Sequence, residues 1–134
     1  MFQLINLSDS LAVSPQPAPE DMAVVAAQGF TTVVCNRPDG ESADQPSRQE
    51  MEAAASAAGM KFVYYPVNPA TFPGEDLAGL GRVFDSGDKV FAFCRTGTRC
   101  ANLWVATRAP QSKAAAVERA KGLGFDLSLS ERLG

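Results

Sequence analysis

The chain contains no histidine. That excludes Cys–His and Ser–His catalytic pairs and removes a common zinc ligand, so no metal site is expected. Cysteine is scarce. Cys35, Cys94 and Cys100 form an odd set without the spacing of a disulfide scaffold. They suggest thiol chemistry in a reducing compartment. No apolar run approaches the length of a membrane span. The stretch from Met1 to Asn6 lacks a basic segment followed by a long apolar core. No export signal is therefore expected, and a cytoplasmic location is. Positive charge is also limited: 12 Lys and Arg stand against 15 Asp and Glu, a net charge of −3. Such a balance gives no global attraction to nucleic acid or to an anionic membrane, and neither is expected as a partner.

What is present is a globular chain. Hydrophobic residues make up 46% and charged residues 20% of 134 positions, which suits one domain, 1–134, around a single core. Strand-like and helix-like segments alternate. Phe2–Leu7 and Leu11–Val13 read as short strands at a sheet edge. Pro19-Glu20-Asp21 opens a helix that Gly29 stops. Thr31–Cys35 is a buried β-branched strand followed by a polar loop from Asn36 to Glu41. Ser47 and Glu50 form a capping box for a helix running to Gly59. Lys61–Val67 is the next strand, Glu75–Phe84 a helix with Leu77, Leu80, Val83 and Phe84 inward, and Lys89–Phe93 another strand. A helix follows to about Arg108, Ser112 is expected to cap a further one to Lys121, and Leu127–Leu133 reads as a last helical turn. Alternation of this kind predicts an α/β fold with mostly parallel strands, whose ligand site lies at the carboxyl ends of the strands. Three ends qualify: Cys35-Asn36-Arg37, Asn68-Pro69 and Cys94.

The last of these carries the chemistry. Cys94-Arg95-Thr96-Gly97-Thr98-Arg99-Cys100 joins a strand to a helix. Backbone N–H groups and a helix N-terminus make an anion cradle there. The same surroundings, with nearby cations, lower a thiol's pKa. Cys94 is thus expected to be a thiolate nucleophile aimed at a phosphoryl or sulfane-sulfur group. The expected partner is a small anionic substrate bearing a phosphate or persulfide group, and no cofactor is implied.

These residues, with Val13-Ser14-Pro15-Gln16-Pro17, Gly29–Val34, Asn36–Glu41, Tyr65-Pro66-Val67, Leu103-Trp104 and Gly124–Leu127, resemble the phosphatase-like domain of the beta-lactamase-hydrolase-like family. That family is a bacterial relative of dual-specificity and tyrosine phosphatases. The resemblance implies a tyrosine-phosphatase-like three-layer fold, with a mostly parallel central sheet flanked by helices. It implies that Cys94 forms a cysteinyl-phosphate, that the amides from Arg95 through Thr96, Gly97 and Thr98 to Arg99 hold the phosphoryl oxygens, and that Arg99 grips two of them. The chain departs from the usual tyrosine-phosphatase pattern in three places. Arg99 lies five positions after Cys94 rather than six, Phe93 replaces the preceding His, and Asn68 stands where an acid usually protonates the leaving group. Glu75, Asp76 and Asp39 are the candidate substitutes. The short loop also resembles that of rhodanese sulfurtransferases, which pass sulfur through a cysteine persulfide and need no acid, so sulfur transfer is the alternative.

Three further residues have two readings each, and a fourth has one. Cys100 is either a small helix residue or a resolving thiol for Cys94. Cys35 is either core packing or a redox neighbour of the loop. Arg37 is either a surface side chain or a second anion contact. Asn68 marks the strand end where the acid is missing.

Overall fold

The computed structural model describes residues 3–133, so Phe2, at the start of the expected first strand, lies outside them. The strands are β1 (Ile5–Asn6), β2 (Leu11–Ser14), β3 (Thr32–Cys35), β4 (Lys61–Tyr64) and β5 (Val90–Phe93). The helices are α1 (Asp21–Ala27), α2 (Arg48–Ala57), α3 (Leu77–Phe84), α4 (Thr98–Ala106), α5 (Pro110–Gly122) and α6 (Ser128–Glu131). The five strands form one sheet in the order β1-β2-β5-β3-β4. Only β1 runs antiparallel; β2, β5, β3 and β4 are parallel to their neighbours. The fold is the expected α/β one, with helices on both faces. No helix among the described residues is long and apolar enough to cross a membrane.

Strand alternation divides the core in two. Val33, Cys35, Phe91 and Phe93 face α1 and α2, meeting Met22, Val25, Met51 and Ala55. Val34, Ala92 and Cys94 face the other way, meeting Leu80, Phe84, Leu103, Ala116 and Ala120 of α3, α4 and α5. The central strand β5 is fully buried, as its unbroken apolar sequence predicts.

Local signals set most element boundaries. Ser47 Oγ accepts from the Glu50 amide and Glu50 Oε1 accepts from the Ser47 amide, so the expected capping box opens α2. Other expected boundaries shift. Asp76, not Glu75, caps α3 by accepting from the Gly79 amide. Ser112 does not cap α5: the helix starts at Pro110, whose fixed φ and missing N–H suit the first helical position, and Ser112 lies inside the first turn. Strand β4 ends at Tyr64, short of Pro66, which has no N–H for the ladder. Of the four residues expected inward on α3, Leu80 and Phe84 are buried, while Leu77 and Val83 pack half-exposed at the cluster's edge. Trp104 and Phe72 both belong to the core.

Candidate active site

The register of β3 against β5 pairs Cys35 with Phe93. Cys94 is therefore the first residue beyond the paired strand, and it emerges at the carboxyl edge. Its N–H reaches the Ser14 carbonyl of β2 at 3.4 Å, and the Asn36 N–H reaches the Phe93 carbonyl at 2.9 Å. Neighbouring strands thus fix the root of the loop on both sides. The loop then turns sharply into α4. Gly97 makes the turn at φ 93°, a left-handed conformation that costs a side-chain-bearing residue energy. The N-cap Gly97 has no side chain to cap α4, and the Thr98 N–H reaches Thr96 Oγ1 at 3.4 Å.

Cys94 Sγ occupies this N-terminus. The Gly97 N–H donates to it at 3.0 Å. The thiol of Cys100, one turn into α4, also donates to it, as do the backbone N–H groups of Cys100 and Thr96. The Cys100 thiol leads the causes that bring the Cys94 pKa down from 9.0 to about 6, against burial, which raises it. At pH 7 such a thiol is about nine-tenths thiolate. The lowered pKa is the expected one, and hydrogen bonds are its leading cause. Cys100 pays the opposite way. Full burial, and donation to a sulfur that is already anionic, hold its own pKa well above 9.0.

Arg99 is fixed by a residue the sequence reading did not single out, Glu41. Arg99 Nη1 and Nη2 donate to Glu41 Oε2 and Oε1 at 2.8 and 2.9 Å, and Nη1 also donates to the Val67 carbonyl at 2.8 Å. A guanidinium has five N–H donors. Three are engaged, and the two left among the described residues are Nε–H and one Nη2–H. These lie along one edge of the plane, the fork that matches two oxygens of a tetrahedral anion. The signal that pointed to Glu41 was available: a carboxylate at a strand-end loop beside the one that presents a half-buried arginine.

The remaining expected residues divide. Arg95 and Thr96 are exposed, Gly97 is buried, and Thr98 and Arg99 are half-buried, so the loop forms a shallow wall around Cys94. Arg37 is not a surface side chain. It is turned inward at 4% exposure, where it meets Glu41, Gln16 and Ser42. Cys35 is packed in the core, one of its two expected readings. Its side chain lies in the opposite core layer and donates to the Arg37 carbonyl, and burial pushes its pKa to about 12. Asn68 sits beyond Val67, but its Oδ1 accepts from the Ala70 and Thr71 amides and so holds its own turn. The candidate acids are also occupied, Asp39 by the Arg48 amide at 2.6 Å and Asp76 by the α3 cap. Glu75 lines a groove with Pro38, Tyr64, Tyr65 and Asn68 at the same sheet edge. Among the described residues no cluster of three or more His, Cys, Asp or Glu is placed to hold a metal ion.

Residues 3–112 match the family described as "Beta-lactamase hydrolase-like protein, phosphatase-like domain". The chain belongs to that family. A beta-lactamase hydrolase-like protein of Agrobacterium fabrum is 31% identical over 98% of this chain, which corresponds to 31% of the relative's length. The chain thus spans about a third of the curated relative it matches. A candidate phosphatase of Neisseria meningitidis shares the fold with TM-score 0.76 and 32% identity, covering 96% of this chain and 94% of that one. Tk-PTP in its active form overlays with TM-score 0.70 at 23% identity, over 96% of this chain and 97% of that one. The domain is therefore phosphatase-like, with a tyrosine-phosphatase-like fold.

Proposed function

We propose that this domain is a cysteine-dependent phosphomonoester hydrolase. The observation that carries the reading is the buried Cys94 sulfur, held by the loop amides and the Cys100 thiol at a helix N-terminus beside Arg99. The thiolate attacks phosphorus, an S–P bond forms and the P–O bond to the leaving group breaks. Loop amides and the unspent edge of Arg99 hold the charge that builds on the non-bridging oxygens. Water then attacks the cysteinyl-phosphate, and inorganic phosphate and the thiolate are released. Proton supply to the leaving oxygen is the weak part of this apparatus. Asn68 is a carboxamide occupied in its turn, and Glu41 is clamped by arginines, with Arg99 holding its carboxyl below the usual range. Substrates whose leaving group departs as a stable anion, such as aryl phosphates, suit this site best. Release of phosphate from p-nitrophenyl phosphate by the wild type, and its loss in Cys94→Ser, is the expected result. Failure of the wild type to release phosphate overturns the reading.

The spacing of five between Cys94 and Arg99, together with the occupied carboxylates, favours one second reading, sulfur transfer. The Cys94 thiolate would attack the outer sulfur of thiosulfate, sulfite would leave with the bonding pair, and an acceptor thiolate would take the sulfur from the persulfide. Intact mass after thiosulfate treatment tests it. One added sulfur atom, absent in Cys94→Ser, is the expected signature, and an unchanged mass rules sulfur transfer out.

A further inference from the structure

Arg37 is a buried charge that the chemistry above leaves unused. Its side chain is 5% exposed, and burying a guanidinium is costly unless its donors and charge are met. Three of its donors are met from two segments, the loop after β3 and the stretch after β2. Nε donates to Glu41 Oε1 at 3.1 Å, Nη1 to Gln16 Oε1 at 3.2 Å and Nη2 to Ser42 Oγ at 3.3 Å. Glu41 Oε1 thus receives both Arg37 and Arg99. Gln16 is tied to the cradle as well, since its N–H donates to the Arg95 carbonyl at 3.3 Å.

The charge count gives this arrangement its meaning. An Arg99–Glu41 pair alone would be neutral, and the carboxylate that orients Arg99 would cancel the charge an incoming oxyanion needs. With Arg37 on the same carboxylate, two guanidiniums face one Glu and a net positive charge remains beside Cys94. We infer that Arg37 is a positioning residue for oxyanion binding: it holds Glu41 in place against Arg99 and supplies the second positive charge that keeps the trio net cationic. The inference rests on the reading of the Cys94 loop as an oxyanion cradle.

Tungstate, a tetrahedral dianion, tests it without relying on turnover. The readout is protection of Cys94 in the full chain against iodoacetamide, followed by mass analysis of the Cys94 peptide. Arg37→Met is expected to raise the tungstate concentration for half-protection by about tenfold, and Arg37→Lys, which keeps the charge but not the three contacts, by less. Gln16→Glu is the shape-preserving variant. It adds a second carboxylate to Arg37, makes the group neutral and is expected to weaken protection about threefold with no loss of urea resistance. A merely structural Arg37 would leave Gln16→Glu unaffected, so wild-type protection in Gln16→Glu overturns the inference even where Arg37→Met fails to fold. Absence of tungstate protection in the wild type is a separate outcome, and it overturns the oxyanion reading itself.

Discussion

Replacing Cys100 by Ala removes the side chain that does most to keep Cys94 ionised. A hydrogen bond to a charged group contributes about 1.5–3 kcal/mol, and a thiol is a weak donor, so about 1.4 kcal/mol is a reasonable figure here. At 1.36 kcal/mol per pKa unit, that moves Cys94 up by about one unit, from about 6 to about 7. The backbone N–H groups of Cys100, Thr96 and Gly97 survive the change and keep the value from returning to 9.0. The thiolate fraction at pH 7 should fall from about nine-tenths to about half, and at pH 6 by roughly fivefold. Iodoacetamide alkylation of Cys94, followed from pH 5 to 9, reads this directly. Cys100→Ser restores a donor on a shorter arm and is expected between the two. The truncation also empties space at a fully buried position, at a cost of about 1 kcal/mol in urea unfolding. An alkylation midpoint that stays near 6 in a folded Cys100→Ala protein refutes the reasoning and assigns the ionisation to the loop amides alone.

Two more outcomes follow from the same loop. The Cys94 pKa is lower in the folded chain than its ordinary 9.0, so its contribution to stability is complete above that value and is lost as pH falls through about 6. Urea stability should rise by about 1 kcal/mol per unit between pH 6 and 8, and Cys94→Ser should flatten the slope; an unchanged slope in the variant counts against a buried thiolate. Gly97→Ala places a Cβ 3.5 Å from Ser14 and Phe125, an ordinary contact, but at φ 93°. The strain is in the backbone, and a loss of about 1–2 kcal/mol in urea unfolding is expected, with weaker tungstate protection; wild-type stability would mean that the loop adopts another turn.

Much of the fold was legible because its signals are local. The run Val90–Phe93 has no polar break and becomes the buried central strand, and Ser47 with Glu50 three residues later becomes a capping box. Boundaries failed where two local signals competed, as at α5, where Pro110 rather than Ser112 sets the start. For Cys35 the choice between its two readings needed more than local signals. Adjacent strand ends are close, but side chains alternate between faces, and the pairing of Cys35 with Phe93 leaves Cys94 on the opposite face. Register is a property of two strands together, and neither strand's sequence states it.

The sequence by itself determined the candidate nucleophile, Cys94, and the strand–turn–helix segment that carries it. Strand, small-residue turn and helix start are contiguous from Val90 to Ala106, so the signals for all three lie in one stretch of chain. What only the tertiary structure decided is how the charges are used. Glu41 lies 58 residues before Arg99, and Gln16 lies 21 before Arg37. Their meeting depends on β2, β5 and β3 being neighbours, which brings three loops to one sheet edge. A guanidinium and a carboxylate carry no directional code along the chain. Which of them pair, and which donors stay free for a substrate, is fixed by burial and strand order.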